Sequence, residues 1–267
     1  MTDEAGLTKG TAIQADGLFQ VTIGVVCYGD NPHLAERFLS SLYRYTNHAS
    51  FHLRIGLNEV SAATRQIVQS FVDRFGNVEV YEELRNVFKA PLMRRMFTQH
   101  RISTEWLVWF DDDSYLTRPD WLQRLAIQIA RFPHVAQWGQ TYALWSCDER
   151  IEAFVKAASW YGECPFLLGT GLDGREMWEF RFVTGAFWAA KTAVISALDW
   201  PDARLIQAHD DFLFGEALRQ NGWEIGLFEY GVKINASSRR NSLAPEVERL
   251  PAADSQSPST PAQHSGS

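Results

Sequence analysis

The stretch Trp106-Leu107-Val108-Trp109-Phe110-Asp111-Asp112-Asp113-Ser114 governs how the rest of the chain is read, because a wholly apolar run meets three consecutive carboxylates. Five apolar residues rich in aromatics, with a β-branched Val among them, read as a strand buried on both faces at the centre of a helix-covered sheet. Ligands of an open α/β sheet gather at the carboxyl ends of its strands, so the acidic end is the candidate site. If extended geometry continues through the acidic residues, Asp111 and Asp113 point one way and Asp112 the other. Carboxylates crowded at the edge of an apolar core raise the electrostatic energy unless a cation neutralises them, and hard oxygen ligands suit Mg²⁺ or Mn²⁺. An acidic turn capping a helix that begins near Pro119 is the other reading of the same residues.

Upstream, strands and helices alternate. Residues 19–28 are Val/Ile-rich and stop at Gly29-Asp30-Asn31, after which Pro32 sits at a favoured helix start. That helix carries Leu34, Phe38, Leu42 and Tyr45 on one stripe, with Arg37 and Arg44 off it. Residues 51–57 give a second strand, residues 61–75 a helix ended by Gly76-Asn77, and residues 78–81 a short strand. This order predicts a mostly parallel sheet with right-handed crossovers. After Asn86-Val87-Phe88-Lys89-Ala90-Pro91, a helix over 92–99 groups Leu92, Met93, Met96 and Phe97 and leaves Arg94, Arg95 and Arg101 nearer solvent. That basic face is either simply solvated or meets a diphosphate through Lys89 and one Arg.

Downstream, Trp121, Leu122, Leu125, Ile129 and Phe132 form a helical stripe closed by Pro133. Residues 135–145 read as strand and loop, 149–160 as helix, and 161–175 as an irregular loop long enough to be a lid. Trp160, Tyr161 and Trp178 are either core or a stacking surface for a sugar. A strand over 180–190 contains Thr184-Gly185, where the glycine lets a ligand approach the backbone. His209-Asp210-Asp211 precedes a run of helix formers stopped by Asn221-Gly222, which puts two carboxylates at a helix N-terminus, where the ionised form is favoured. Such a carboxylate can accept a proton from a hydroxyl, or serve only as a cap. Short strands at 223–228 and 231–235 finish the fold. Residues 1–17 read as a flexible N-terminus, and residues 237–267, rich in Ser, Pro and Ala, as a disordered tail.

Composition narrows the class. A chain of 267 residues, 46% hydrophobic and 13% aromatic, can bury one large core. A net charge of -7 argues against nonspecific binding to nucleic acid or anionic membranes. Cys27, Cys147 and Cys164 are odd in number and never paired as CxxC, which fits a reducing compartment. No apolar leader or membrane-length run is visible in the sequence, so a cytoplasmic protein without membrane insertion is expected.

Taken in order, residues 19–235 resemble the family-2-like glycosyltransferases of the GT-A fold. The first strand with its Leu34-to-Leu42 helix resembles that family's nucleotide-binding start, and Asp111-Asp112-Asp113 its DxD motif. Thr184-Gly185-Ala186-Phe187 resembles the acceptor segment, and His209-Asp210-Asp211 occupies the place of the x-Glu-Asp motif. The resemblance implies a single catalytic domain over 18–236, with a nucleotide-binding half at 18–115 and an acceptor half at 116–236. It implies transfer of a sugar from a nucleotide-sugar donor to an acceptor hydroxyl, metal-dependent and inverting. Asp113 is then expected on the metal, with Asp111 on the ribose or, through water, the metal. Asp211 is the expected base, with Asp210 beside it. Donor contacts fall to Cys27, Tyr28, Asn58, Asn86, Lys89, Arg94, Asp111 and Asp112, and acceptor contacts to Gly185, Ala186 and Trp188. Two departures stand out: the second strand ends Leu57-Asn58-Glu59 where the family is usually acidic, with Asn58 standing in, and no C-terminal His accompanies Lys233-Ile234-Asn235. A metal-dependent hydrolase or nucleotidyltransferase, and a noncatalytic sugar-nucleotide-binding module, are the alternative functions.

Overall fold

The computed structural model describes residues 19–171, 174–206 and 209–234; the expected flexible N-terminus and tail, and Asn235, lie outside the described residues. The Val/Ile-rich segment forms β1 (Val21–Tyr28), followed by α1 (Pro32–Tyr45), which opens on its proline. Then come β2 (Phe51–Asn58), α2 (Ala62–Arg74), β3 (Val78–Glu83) and α3 (Lys89–Thr98). Ser61 caps α2 by accepting the Thr64 N–H. The apolar run is β4 (Trp106–Asp111), and β5 (Tyr115–Leu116) and α4 (Trp121–Arg131) follow it. The remainder is β6 (Val135–Ser146), α5 (Glu149–Lys156), β7 (Leu167–Thr170), β8 (Glu176–Lys191), α6 (Thr192–Ala197), α7 (Asp210–Gln220), β9 (Glu224–Leu227) and β10 (Val232–Lys233).

The main sheet runs β3-β2-β1-β4-β8-β6-β9, with β7 paired to β8. From β3 to β4 neighbours are parallel, β8 is antiparallel to both β4 and β6, and β9 is parallel to β6. The chain builds outward from β1 to β3, then returns to the other side of β1 as β4. Such a reversal leaves a crevice at the carboxyl ends of the two central strands, here at Tyr28 and Asp111.

Burial on both faces of β4 explains its composition. Trp106, Val108 and Phe110 face a core shared with α1 and α4, and Phe110 meets Phe38, Trp121 and Phe187 with ring centroids 5.1–5.9 Å apart. Leu107 and Trp109 face the opposite core, built with α3 and α7, where Trp109 stacks on Trp188 at 6.0 Å. Each aromatic anchors the strand against a different layer, so its acidic end is held in place.

Several expectations are corrected by tertiary packing. The segment expected as an irregular loop contains β7, which forms a hairpin with β8. Trp160 is 3% exposed and donates its indole N–H to Asp202, so it belongs to the core and presents no face to a sugar. Arg37, expected off the buried stripe, is 3% exposed because its guanidinium lies over the Tyr115 ring at 4.7 Å. The two-residue strands β5 and β10 pair with each other, and α6 went unforeseen. No helix among the described residues is long and apolar enough to cross a membrane.

Helix α7 lies directly on β8. A Cβ added at Gly215 would come 2.2 Å from the Arg181 carbonyl oxygen, nearer than any real contact, so only glycine lets the helix approach. Gly215→Ala is expected to destabilise the fold by at least about 1–3 kcal/mol, seen as a lower urea midpoint with unchanged slope. An unchanged midpoint would contradict this packing.

Candidate active site

Strand β4 ends at Asp111 and the chain turns at once. The Ser114 N–H donates to the Asp111 carbonyl at 3.0 Å, so the carboxylates leave the strand through a tight turn and do not alternate along an extended chain. Three contacts hold the turn. Ser114 Oγ donates to the Ala186 carbonyl at 2.9 Å, tying it to β8. The Asp112 carboxylate, 2% exposed, accepts the Tyr28 N–H at 3.3 Å and ties it to β1. Arg37 Nη2 donates to the Asp113 carbonyl at 2.8 Å, tying it to α1. Sequence reasoning assigned neither Arg37 nor Ser114 to the site, because both act on backbone atoms that only the fold brings near.

Lys89, the first residue of α3, reaches across the crevice. Its ammonium lies 2.9 Å from Asp111 Oδ1 and 3.2 Å from Asp210 Oδ2, and donates to the Gly185 carbonyl at 3.4 Å. Trp109 Nε1 donates to the same Asp111 oxygen at 3.2 Å. Burial opposes the Lys89 charge, but Asp111 and Asp210 outweigh it and hold the ammonium above the ordinary lysine pKa. One cation therefore joins the acidic end of β4 to the N-terminus of α7.

The second carboxylate of α7 has a different environment. Burial and the adjacent Asp210 charge raise the Asp211 pKa above the usual carboxylate value, while the Phe212 N–H, Lys89 and the Gly185 N–H pull it back. Asp211 Oδ1 accepts that Phe212 N–H at 2.8 Å. A Cβ built on Gly185 would lie 3.2 Å from Lys89 Nζ, 3.6 Å from Asp211 Cβ and 3.9 Å from Asp210 Oδ2, so β8 passes against all three. A side chain there would crowd the junction.

A third group faces the ends of β1 and β2. Asn58 Nδ2 donates to Asn86 Oδ1 at 3.0 Å, and Asn86 Nδ2 donates to the Tyr28 hydroxyl at 3.2 Å. Asn58 Oδ1 accepts the Val87 N–H at 2.9 Å. These amides shape the segment that leads into Lys89. Tyr28, Asn86, Lys89, Asp111, Asp210, Asp211, Gly185 and Ala186 thus gather with the Asp112-Asp113 turn near the carboxyl ends of β1 and β4, while Asn58, 2% exposed, is buried behind Asn86. Three expected site residues lie elsewhere. Cys27 is buried 2% exposed in the α1-side core, because the residue before Tyr28 points to the other face. Trp188 is spent on stacking Trp109 in the opposite core. Arg94 donates to the Asp199 carboxylate at 2.8 Å and to the Asp199 carbonyl at 2.8 Å, which directs it toward the loop after α6.

A parallel half-sheet ending in an acidic turn at the reversal of strand order, completed by antiparallel strands, is the architecture of a GT-A glycosyltransferase fold. Residues 19–258 match the family described as Glycosyltransferase like family 2, and the chain belongs to that enzyme family. Similar solved structures include the mannosyltransferase PcManGT from Pyrobaculum calidifontis in complex with GDP-Man and Mn²⁺, at 16% identity and a TM-score of 0.55 over 79% of this chain and 55% of that one. S. aureus TarS 1-349 in complex with UDP is 17% identical, with a TM-score of 0.52 over 78% of this chain and 57% of that one. The chain thus spans little more than half the length of these structures. No curated protein matches it.

Replacing Lys89 with Met leaves Asp111 and Asp210 close together without their shared cation. The Lys89→Met protein is expected to lose about 1–3 kcal/mol of stability at neutral pH, measured by urea unfolding. Because the folded-state pKa of Lys89 lies above that of the unfolded chain, this difference should hold from neutral pH up to pH ~10 and shrink as pH rises through the higher folded value. Equal stability of the two proteins at neutral pH would show that the junction carries no net energy.

Proposed function

We propose that this chain transfers a sugar from a nucleotide-sugar donor to an acceptor hydroxyl with inversion at the anomeric carbon. The observation that carries the reading is the Lys89 junction, which brings the acidic end of β4 and the paired carboxylates of α7 together around Gly185 at the sheet's crevice. Membership of the family supports it, as does the likeness in fold to proteins whose structures hold GDP-Man or UDP. In this reading Tyr28 and Asn86, the latter held by the buried Asn58, face the nucleoside, Lys89 and Asp111 its diphosphate, and Gly185 and Ala186 the acceptor.

The donor set suits a divalent cation of the hard class. Asp111, whose Oδ1 already meets Lys89 and Trp109, and Asp113 lie in one turn, and no cluster of three or more His, Cys, Asp or Glu capable of holding a metal occurs among the described residues. In the proposed reading one or two carboxylates hold an ion such as Mg²⁺ or Mn²⁺ and the donor's phosphates complete its shell. Held by Asp113 and Asp111, it would supply charge neutralisation for the departing nucleoside diphosphate.

The residues of the chain then divide the chemistry. Asp211 takes the proton of the acceptor hydroxyl as the oxygen bonds to the anomeric carbon, and the bond from that carbon to the diphosphate breaks on the opposite face. A carboxyl whose pKa is raised by burial and by Asp210 is a stronger base than an exposed aspartate once ionised. Asp210 holds Lys89, and Lys89 offers its positive charge to the leaving phosphate.

Asp211→Asn should lower kcat by roughly 10²- to 10⁴-fold while nucleotide binding, followed by calorimetry, stays intact. Full turnover in that variant would remove Asp211 from the mechanism. Since Asp211 must be ionised to act, the acid limb of kcat/KM should lie above the ordinary aspartate range. Asp210→Asn removes a neighbouring negative charge and should move that limb to lower pH; Lys89→Met removes a positive one and should move it higher. Shifts in the same direction would rule out Asp211 as the titrating base. A product formed from the donor without any acceptor would instead indicate hydrolysis.

A further inference from the structure

Phe88 adopts φ 66° and ψ 171°, a region that is essentially restricted to glycine. His209, also at positive φ, sits at ψ 0° in the milder left-handed well. The Phe88 backbone is forced into place by its neighbours: its N–H donates to Asn86 Oδ1 at 2.8 Å, and the preceding Val87 N–H donates to Asn58 Oδ1 at 2.9 Å. Neither bond uses the Phe88 side chain, so glycine would make both without strain.

The ring gives little back to folding. Phe88 is 37% exposed and has no aromatic partner among the described residues, whereas the adjacent Val87 packs on the core shared by α3 and α7. A strained, solvent-facing aromatic lowers stability twice over, once through its backbone and once through its hydration. Its position is specific. The next residue is Lys89, whose ammonium meets Asp111 and Asp210; two residues earlier Asn86 meets the Tyr28 hydroxyl at the end of β1. Phe88 thus stands between the residue that meets the site's carboxylates and the amide bonded to the Tyr28 hydroxyl.

We propose that Phe88 is a donor-binding residue whose ring stacks on the donor's nucleobase, held ready by the Asn58–Asn86 bonds at the cost of backbone strain. This rests on the nucleotide-sugar reading above. Stacking on an aromatic side chain is strong and tolerant of base identity, so Phe88 contributes affinity for any nucleobase, and Asn86 and Tyr28 are left to discriminate among them.

The test uses the full chain, with UDP, GDP, CDP, ADP and inorganic pyrophosphate titrated calorimetrically in the presence of Mn²⁺. For the diphosphate that binds the unaltered protein best, Phe88→Gly and Phe88→Ala should each weaken binding roughly tenfold or more, while Phe88→Tyr stays within about threefold. Pyrophosphate, which has no base, should bind all four proteins alike. Without ligand, Phe88→Gly should keep or raise Tm, by up to roughly 4 °C, and Phe88→Ala, which retains the strain, should not raise it. Unchanged nucleotide affinity in both the Gly and Ala variants overturns the proposal, and so does an equal loss for pyrophosphate. A Tm lowered by several degrees in Phe88→Gly would show that the ring is kept for packing. If none of the four nucleotides binds the unaltered protein, the donor reading falls and this inference with it.

Discussion

The site depends on one ammonium group placed between two carboxylates that the chain separates by 99 residues of sequence, Asp111 and Asp210. Two acidic residues drawn into a crevice repel each other and lose hydration, and neither burial nor packing offsets that cost. Lys89 does so by standing within hydrogen-bond distance of both. It can reach them because α3 begins at Lys89, directly after a segment whose path is set by the side-chain amides of Asn58 and Asn86. The same charge that steadies the carboxylates is the one a diphosphate would meet first. In the proposed reading, cohesion of the site and affinity for the donor's diphosphate draw on this single group.

Around that junction the fold works by close approach. Trp109 faces one core and Phe110 the other, so β4 cannot slide or rotate without breaking aromatic contacts on both sides. Helix α7 presses on β8 at Gly215, and β8 passes Lys89, Asp210 and Asp211 at Gly185. Each glycine lies where a Cβ would separate the layers or fill the crevice. Of the five non-glycine residues at positive φ among the described residues, Glu59, Phe88 and His209 lie at the end of β2 and the starts of α3 and α7, and Glu163 and Asp199 lie in loops elsewhere. Such conformations persist where surrounding bonds fix them.

What the sequence made legible and what it hid follow physical lines. The apolar run into Asp111, the Pro32 helix start, the Ser61 region and the Asn-Gly stop after α7 are local signals, written in period, propensity and capping, and each lands within a few residues of its element. Motif order in the chain was enough to name Lys89, Asp111, Asp210, Asp211 and Gly185 as site candidates, and those residues do converge. The errors arose where local cues are silent. Cys27 and Trp188, expected at the site from the family resemblance, are core residues, because neighbours along a strand point to opposite faces. Arg94 looked available for an anion until the loop after α6 brought Asp199 to it. The hairpin of β7 with β8 and the pairing of β5 with β10 are long-range contacts with no periodic trace.

By itself, the sequence determined the alternation of strands and helices, the acidic end of the central strand, and the pair of carboxylates opening a late helix, because period, capping and burial act over a few residues. Only the tertiary structure decided that Asp111, Asp112 and Asp113 leave the strand in a turn with separate partners. It alone decided that Lys89, and not Arg94, is the cation between the two acidic groups, and that Phe88 stands strained and exposed beside it. Those outcomes depend on which side chains meet across the crevice, and that is fixed by layer packing and strand order, which no short window of residues contains.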